Sequence, residues 1–335
     1  SVADPREGES MSFVRRYEED SLVTLFLGAG FSKWAFDLPL VNNLFDFDIG
    51  TTSDAEERRL DLIKKDWVLW RESNPDCTPE KFVHWCVEKS SHRKSRVIWY
   101  VNRRLTEPFM TRISGSYSAA MFDERVVREN EKIIALKQFF EKLKVFGLNG
   151  IITCNYDTIV ECALGTSGFN YGVVGEQLRG RGINPQFPWQ NAHLRVTGDT
   201  PLVKLHGSLS WDKDTKYTSG KPGKAGNALI VPPAPEKEPP SELKEVWDLG
   251  ANILSQSQSI IIFGFAFNPY DQALLEYLKK FGSNIKNVLL IDPYPQVESA
   301  KSLWANSKIE VLDPREEFDI EPWVETCTVS RVVIA

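Results

Sequence analysis

Asn155 and Asp157 stand two residues apart in Thr153-Cys154-Asn155-Tyr156-Asp157, directly after a short apolar run. Alternate side chains of an extended chain leave on the same side, so this spacing can send an amide and a carboxylate into one crevice. Both residue types also cap strand-to-helix turns, and that structural role stands beside the chemical one. Val203-Lys204-Leu205-His206-Gly207-Ser208 sets one of only four histidines at the end of another apolar run. A neutral imidazole accepts a hydroxyl or water proton near neutral pH, and the glycine beside it permits close backbone approach to a ligand. A satisfied structural histidine is the alternative. His84, His92 and His193 have no comparable setting.

Gly28-Ala29-Gly30-Phe31-Ser32 follows the apolar run Leu22 to Leu27. Small residues there let main-chain amides approach a pyrophosphate beside a helix N-terminus, although a tight turn with no ligand would read the same. The pattern G-x-G-x-x-G fails where Lys33 replaces the third glycine, and no acidic residue follows on a clear second strand, which disfavours an ordinary dehydrogenase. Gly264-Phe265 ends a further run and offers either backbone contact with adenosine or phosphate or a plain turn. Asp292 could hold a ribose hydroxyl or cap the next helix.

These segments need a scaffold that brings them together. Apolar runs recur at Leu22 to Leu27, Ile151 to Cys154, Leu202 to Leu205, Ile260 to Phe263, Val288 to Ile291 and Ile309 to Leu312. They are too short for helices and lack polar alternation, as expected of parallel strands covered on both faces. The fold class expected is α/β: a doubly wound, mostly parallel, six-stranded Rossmann-like sheet with an inserted helical subdomain. In such sheets ligands bind outside the carboxyl ends of the strands, where the polar and glycine residues cluster. The expected organisation is residues 1–53 as the first part of the Rossmann-like domain, 54–147 as the helical insertion and 148–335 as the remainder. Within the insertion, Leu60, Ile63, Trp67 and Trp70 repeat at helical spacing, as do Ile133, Leu136, Phe140 and Leu143, with Gly147 as a C-cap. Residues 212–227 lack periodicity and are expected to form a loop or hairpin, and 243–254 resume as helix.

The 335 residues carry 40 Lys and Arg against 46 Asp and Glu, a net charge of -6, which argues against a surface built to grip nucleic-acid phosphates. Five cysteines without C-x-x-C spacing indicate neither a disulfide framework nor a zinc knuckle. With no apolar run of membrane-spanning length and a polar start, a cytoplasmic protein without membrane contact is expected.

Taken in order, GAGFS, TCNYD, KLHGS, FGFAFNPYD and IDP make the chain resemble the sirtuin-like (silent information regulator) NAD-consuming superfamily over most of its length, and within it the bacterial anti-phage defence branch. The resemblance implies NAD as substrate. Gly28, Ala29, Gly30 and Ser32 would line its phosphates and ribose, Asn155 and Asp157 the nicotinamide side, and His206 the catalytic base position. Gly264 would lie near the far ribose or phosphate, and Phe31, Thr153, Phe265 and Asp292 are further candidates for binding NAD. The chain lacks the Asp-Phe-Arg loop of deacylases after its glycines, lacks a four-cysteine zinc ribbon, and has Ala266 where serine is typical. The expected reaction is therefore hydrolysis of NAD to nicotinamide and ADP-ribose, without zinc. A non-catalytic NAD- or ADP-ribose-binding structural or sensing subunit is one alternative, and an NAD-dependent protein deacylase another. The same resemblance implies a homo-oligomer, a HerA-type ATPase ring as partner, and NAD depletion as a defence output.

Overall fold

β1 (Val23–Leu27) is buried at every residue and lies at the centre of a parallel sheet. The computed structural model describes residues 22–114, 130–165, 167–171, 198–212, 228–230 and 241–315. On one side β1 pairs with β2 (Leu148–Thr153), which pairs in turn with β4 (Thr200–Lys204) and then β3 (Phe169–Asn170). On the other side come β7 (Ser259–Phe263), β8 (Asn287–Ile291) and β9 (Lys308–Leu312). The order β3-β4-β2-β1-β7-β8-β9 reverses direction at β1, which creates the switch point where doubly wound sheets bind ligands.

All six runs expected from sequence are strands, but the sheet has seven among the described residues. The seventh, β3, is only two residues long and sits at the edge, so it leaves no apolar run to recognise. A separate antiparallel pair, β5 (Gly207–Asp212) with β6 (Ala228–Ile230), begins immediately after His206. The expected loop 212–227 lies outside the described residues except for its first residue, Asp212, which ends β5.

Local chemistry sets the helices. α1 (Ala29–Phe36) starts at Gly28, and Asp37 in the left-handed region closes it. α2 (Asp54–Ser73) is capped by the Ser53 hydroxyl, α3 (Pro79–Lys89) by Thr78 with proline in its first turn, and α4 (Ser91–Ser114) follows. α5 (Glu131–Val145) is capped by Asn130, whose side chain accepts from the Lys132 and Ile133 amides. Its C-cap is Phe146, one residue before the expected Gly147, which follows at φ 90°. α6 (Ile159–Leu164), α7 (Lys244–Gln256), α8 (Gln272–Phe281) and α9 (Val297–Leu303) complete the described helices.

The buried apolar residues form two cores. One is the sheet with α1, α5, α7 and α8, including Leu25, Phe26, Ile151, Ile261, Leu289 and the α5 face Ile133, Leu136, Phe140 and Leu143. The other joins α2, α3 and α4 through Leu60, Ile63, Trp70, Phe82, Ile98 and Tyr100, and takes in Leu209 and Ile230 from the β5–β6 pair.

Candidate functional site

A cavity of about 610 Å³ opens where these two cores meet. That is within the range of small-molecule sites. Its floor is the row of carboxyl-terminal strand ends: Gly28, Ala29, Gly30 and Ser32 after β1, Asn155 and Asp157 after β2, His206 after β4, Gly264 and Phe265 after β7, and Asp292 after β8. From β4 to β8 is four inter-strand steps, or about 19 Å at ~4.8 Å each, so the floor is elongated. The roof is apolar and comes from Leu38, Leu40, Val83, Val87, Val101 and Ile230.

A continuous hydrogen-bond chain fixes the centre of the floor. The Thr153 hydroxyl donates to the Leu27 carbonyl (3.0 Å) and accepts from the Asn155 amide (3.0 Å), stapling the ends of β1 and β2. The Asn155 side-chain nitrogen donates to the Gly28 carbonyl at 2.8 Å and to Ser32 Oγ at 2.9 Å. Ser32 Oγ donates onward to Asp157 Oδ2 at 2.6 Å, while Asp157 Oδ1 accepts from the Ile159 amide at 3.1 Å. A carbonyl can only accept, so the amide orientation of Asn155 is determined. Both its hydrogens are committed, and Oδ1 is the atom left to meet a ligand. Asp157, by contrast, spends both oxygens on the scaffold, and its buried carboxylate holds Ser32 and the start of α6 in place.

Beneath this chain lies a second one. Lys204 is fully buried, pairs with Glu161 at 2.8 Å and donates to the Asp157 carbonyl, while the Tyr171 hydroxyl donates to Glu161 at 3.0 Å. It ties β4 to α6 under the Asn155–Asp157 turn.

The glycines act through contact with each other. A Cβ on Gly28 would stand 2.4 Å from the Gly264 carbonyl oxygen, and one on Gly30 would stand 2.6 Å from the Gly264 Cα. Gly264 itself has φ +65°. The β1 and β7 turns are therefore interlocked, with Gly28 N–H donating to the Phe263 carbonyl and Gly30 N–H to that of Gly264. Of the Gly28, Ala29 and Gly30 amides expected near a pyrophosphate, that of Ala29 has no protein partner among the described residues.

Phe31 and Thr153 do not line the cavity. Phe31 is buried against Phe263, with ring centroids 5.3 Å apart, and Thr153 faces the strand ends. Asp292 does line it, and its Oδ1 accepts from the Tyr294 amide at 2.8 Å. Burial raises the Asp292 carboxyl above its ordinary value, the Tyr294 N–H opposes that, and nearby Asp313 adds to it.

His206 is buried and faces Asp271, with Nε2 3.2 Å from Oδ2. Burial holds the Cys154 thiol and the Tyr156 phenol well above their usual values, and the negative charge of Asp271 pushes the same way. Both stay protonated at neutral pH. No group of three or more His, Cys, Asp or Glu that could hold a metal occurs among the described residues.

Residues 149–312 match the family model of the SIR2-like domain. The match covers just under half of the chain. The match begins within β2, so the Gly28–Ser32 turn lies ahead of it in sequence and meets the matched segment through the pairing of β1 with β2 and β7 and the hydrogen bonds of Asn155 and Ser32. Among solved structures the chain is similar to a Sir2 homologue in complex with NAD, at 14% identity over 93% of this chain and 91% of that one (TM-score 0.43). It is also similar to Sir2Tm bound to a propionylated peptide, at 13% identity over 92% of each chain (TM-score 0.38). No curated protein matches.

Among the lining residues that the sequence pattern does not single out are Asp271, Glu80 and Tyr294. Asn268-Pro269-Tyr270-Asp271 reads as turn and helix entry, yet Asp271 is buried, as is Glu80 in the first turn of α3. Only the three-dimensional approach of α3 to the β7–α8 loop, where Asn268 donates to Glu80 at 2.9 Å, brings them in.

Proposed function

We propose that this chain cleaves the bond between nicotinamide and ribose in NAD, with water as acceptor, giving nicotinamide, ADP-ribose and a proton. One observation carries the reading. An asparagine with a single uncommitted acceptor and a buried histidine bound the same elongated cavity as the interlocked glycine turns, at the switch point of a SIR2-like sheet.

The dinucleotide fits what the residues offer. The Ala29 amide at the start of α1 suits a phosphate oxygen, and the Asp292 carboxylate at the other half of the sheet suits a ribose hydroxyl. Phe265 and Gly264 supply the wall between them. In this reaction nicotinamide leaves as a neutral group and the sugar gains positive character, so the protein's work is positioning and electrostatics rather than acid catalysis. Asn155 Oδ1 orients a ribose hydroxyl or the attacking water. His206 accepts the proton that this oxygen loses, a contribution of about 10²- to 10⁴-fold. Asp157 acts one step back, since its carboxylate fixes Ser32, which fixes Asn155. The apolar roof keeps bulk water from the floor.

Both alternatives are separated by one assay. Purified protein is incubated with NAD and free nicotinamide is measured, for the wild type, His206→Ala and Asn155→Ala. Hydrolysis predicts release by the wild type alone and near-complete loss in both variants. Release that requires an acylated peptide would make the chain a deacylase, and NAD binding without release under any condition would make it a binding subunit. We further propose that the active form is a homo-oligomer in the cytoplasm working with a HerA-type ATPase ring, and that its output is NAD depletion during phage attack. The assay is therefore run with and without such an ATPase.

A further inference from the structure

Asp271 stands at the N-cap of α8, where an aspartate ordinarily turns its carboxylate onto the first helical amides. Here no side-chain cap hydrogen bond is made. The backbone alone closes the turn, with the Asp271 amide donating to the Asn268 carbonyl and its carbonyl accepting from Leu275. The side chain instead lies against His206, with Oδ2 at ion-pair distance (3.2 Å) from Nε2, and both residues are about 95% buried. A buried carboxylate needs a compensating partner. The other titratable groups facing this pair are Cys154 and Tyr156 from the end of β2, both held neutral, and Glu80 from α3, whose carboxylate is engaged by Asn268. The positive end of α8 also favours a negative charge at Asp271.

We propose that Asp271 is the positioning residue for His206, holding the imidazole with its proton on Nε2 so that Nδ1 is the nitrogen that accepts. This rests on the assignment of His206 as proton acceptor in NAD cleavage. When the ribose hydroxyl or the water gives up its proton, the O–H bond breaks and an Nδ1–H bond forms. His206 becomes an imidazolium, and Asp271 remains a carboxylate that faces the new positive charge. The proton then passes from Nδ1 to solvent. Asp271 itself touches neither substrate nor proton in flight, so its loss acts through the tautomer and orientation of the ring.

The test is Asp271→Asn, which keeps size and removes the charge, examined in two ways. In nicotinamide-release kinetics, kcat falls by about 10²- to 10⁴-fold while KM changes by less than ~3-fold, the pattern of an interaction made in the transition state. In nitrogen-15 spectra of histidine-labelled protein, with the four histidines resolved and His206 assigned by its absence in His206→Asn, the wild type shows the Nε2–H tautomer. The Asn variant loses that preference. Asp271→Glu, which restores a carboxylate, recovers the tautomer and part of kcat, and guards against a variant that merely fails to fold. An unchanged His206 tautomer in folded Asp271→Asn would overturn the proposal, as would wild-type kcat. Should the wild type release no nicotinamide, the NAD-cleavage reading fails by itself, and the tautomer comparison still decides the role of Asp271.

Discussion

Asn155 spends both amide hydrogens inside the protein, and that makes its replacement informative in two directions. Asn155→Ala removes the donors to Gly28 and Ser32 and the acceptor offered to the cavity. It is expected to abolish nicotinamide release at a stability cost of about 1–2 kcal/mol. Asn155→Asp keeps the shape but sets a carboxylate against the Gly28 carbonyl lone pairs, so it is expected to be less stable than Asn155→Ala in urea unfolding. If Asn155→Asp were as stable as the wild type, the assigned amide orientation would be wrong. Asp292 yields a prediction in pH. Its carboxyl is raised by burial, so the neutral form is favoured in the fold. The associated stability is fully present below the ordinary carboxylate range and is lost as pH rises through the raised value. Asp292→Asn is therefore expected to match the wild type in acid and to melt slightly higher at neutral pH. The gain is below about 1 kcal/mol, because the half-buried group is screened by solvent. Melting curves across pH check it, and a neutral-pH loss in the variant would contradict the sign.

At the level of elements, the two glycine turns are one structure. Gly30→Ala or Gly264→Ala would drive a methyl into backbone that cannot yield, since the contacted atoms are main chain at 2.6 Å and 2.2 Å. Each is expected to cost more than about 2 kcal/mol, and near-wild-type denaturation midpoints would count against the interlock. Buried Lys204 carries the same logic for β4 and α6. Lys204→Met strands Glu161, whose Oε2 already lacks a partner, at a cost of about 3–5 kcal/mol. Adding Glu161→Gln should recover part of that loss, which a double-mutant cycle by urea unfolding measures. These elements also show what could be read in advance. Six strands were legible because each is an unbroken apolar run, and Asn155, His206 and Gly28 were legible because they follow such runs directly. β3 was not, since two residues carry no period, and the interlock was not, since a G-x-G turn reads alike whether it faces phosphate or another glycine. Asp271 stayed hidden because an aspartate before a helix announces a cap, and only its unused carboxylate shows otherwise.

Across the whole molecule, the cavity belongs to neither core alone: the strand ends supply its polar floor, and α3, α4 and β6, with Leu38 and Leu40 after α1, its apolar roof. A change at their junction should then disturb the ligand more than the fold. Glu80 on α3 is such a point, buried at the cavity wall and accepting from Asn268 of the β7–α8 loop, three residues before Asp271. Glu80→Ala releases that loop and leaves the Asn268 amide without this acceptor, costing about 1 kcal/mol of overall stability. Binding should suffer more, because the loop that presents Asp271 and the wall beside Phe265 both lose their tether. NAD affinity by calorimetry is expected to drop about tenfold, which is ~1.4 kcal/mol. Glu80→Gln keeps an oxygen for Asn268 and is expected to bind NAD within about threefold of the wild type, since only the hydrogen bond, and not the charge, does the tethering. If Glu80→Gln lost as much affinity as Glu80→Ala, the negative charge itself would be the active feature and α3 would belong to the catalytic floor rather than to the roof.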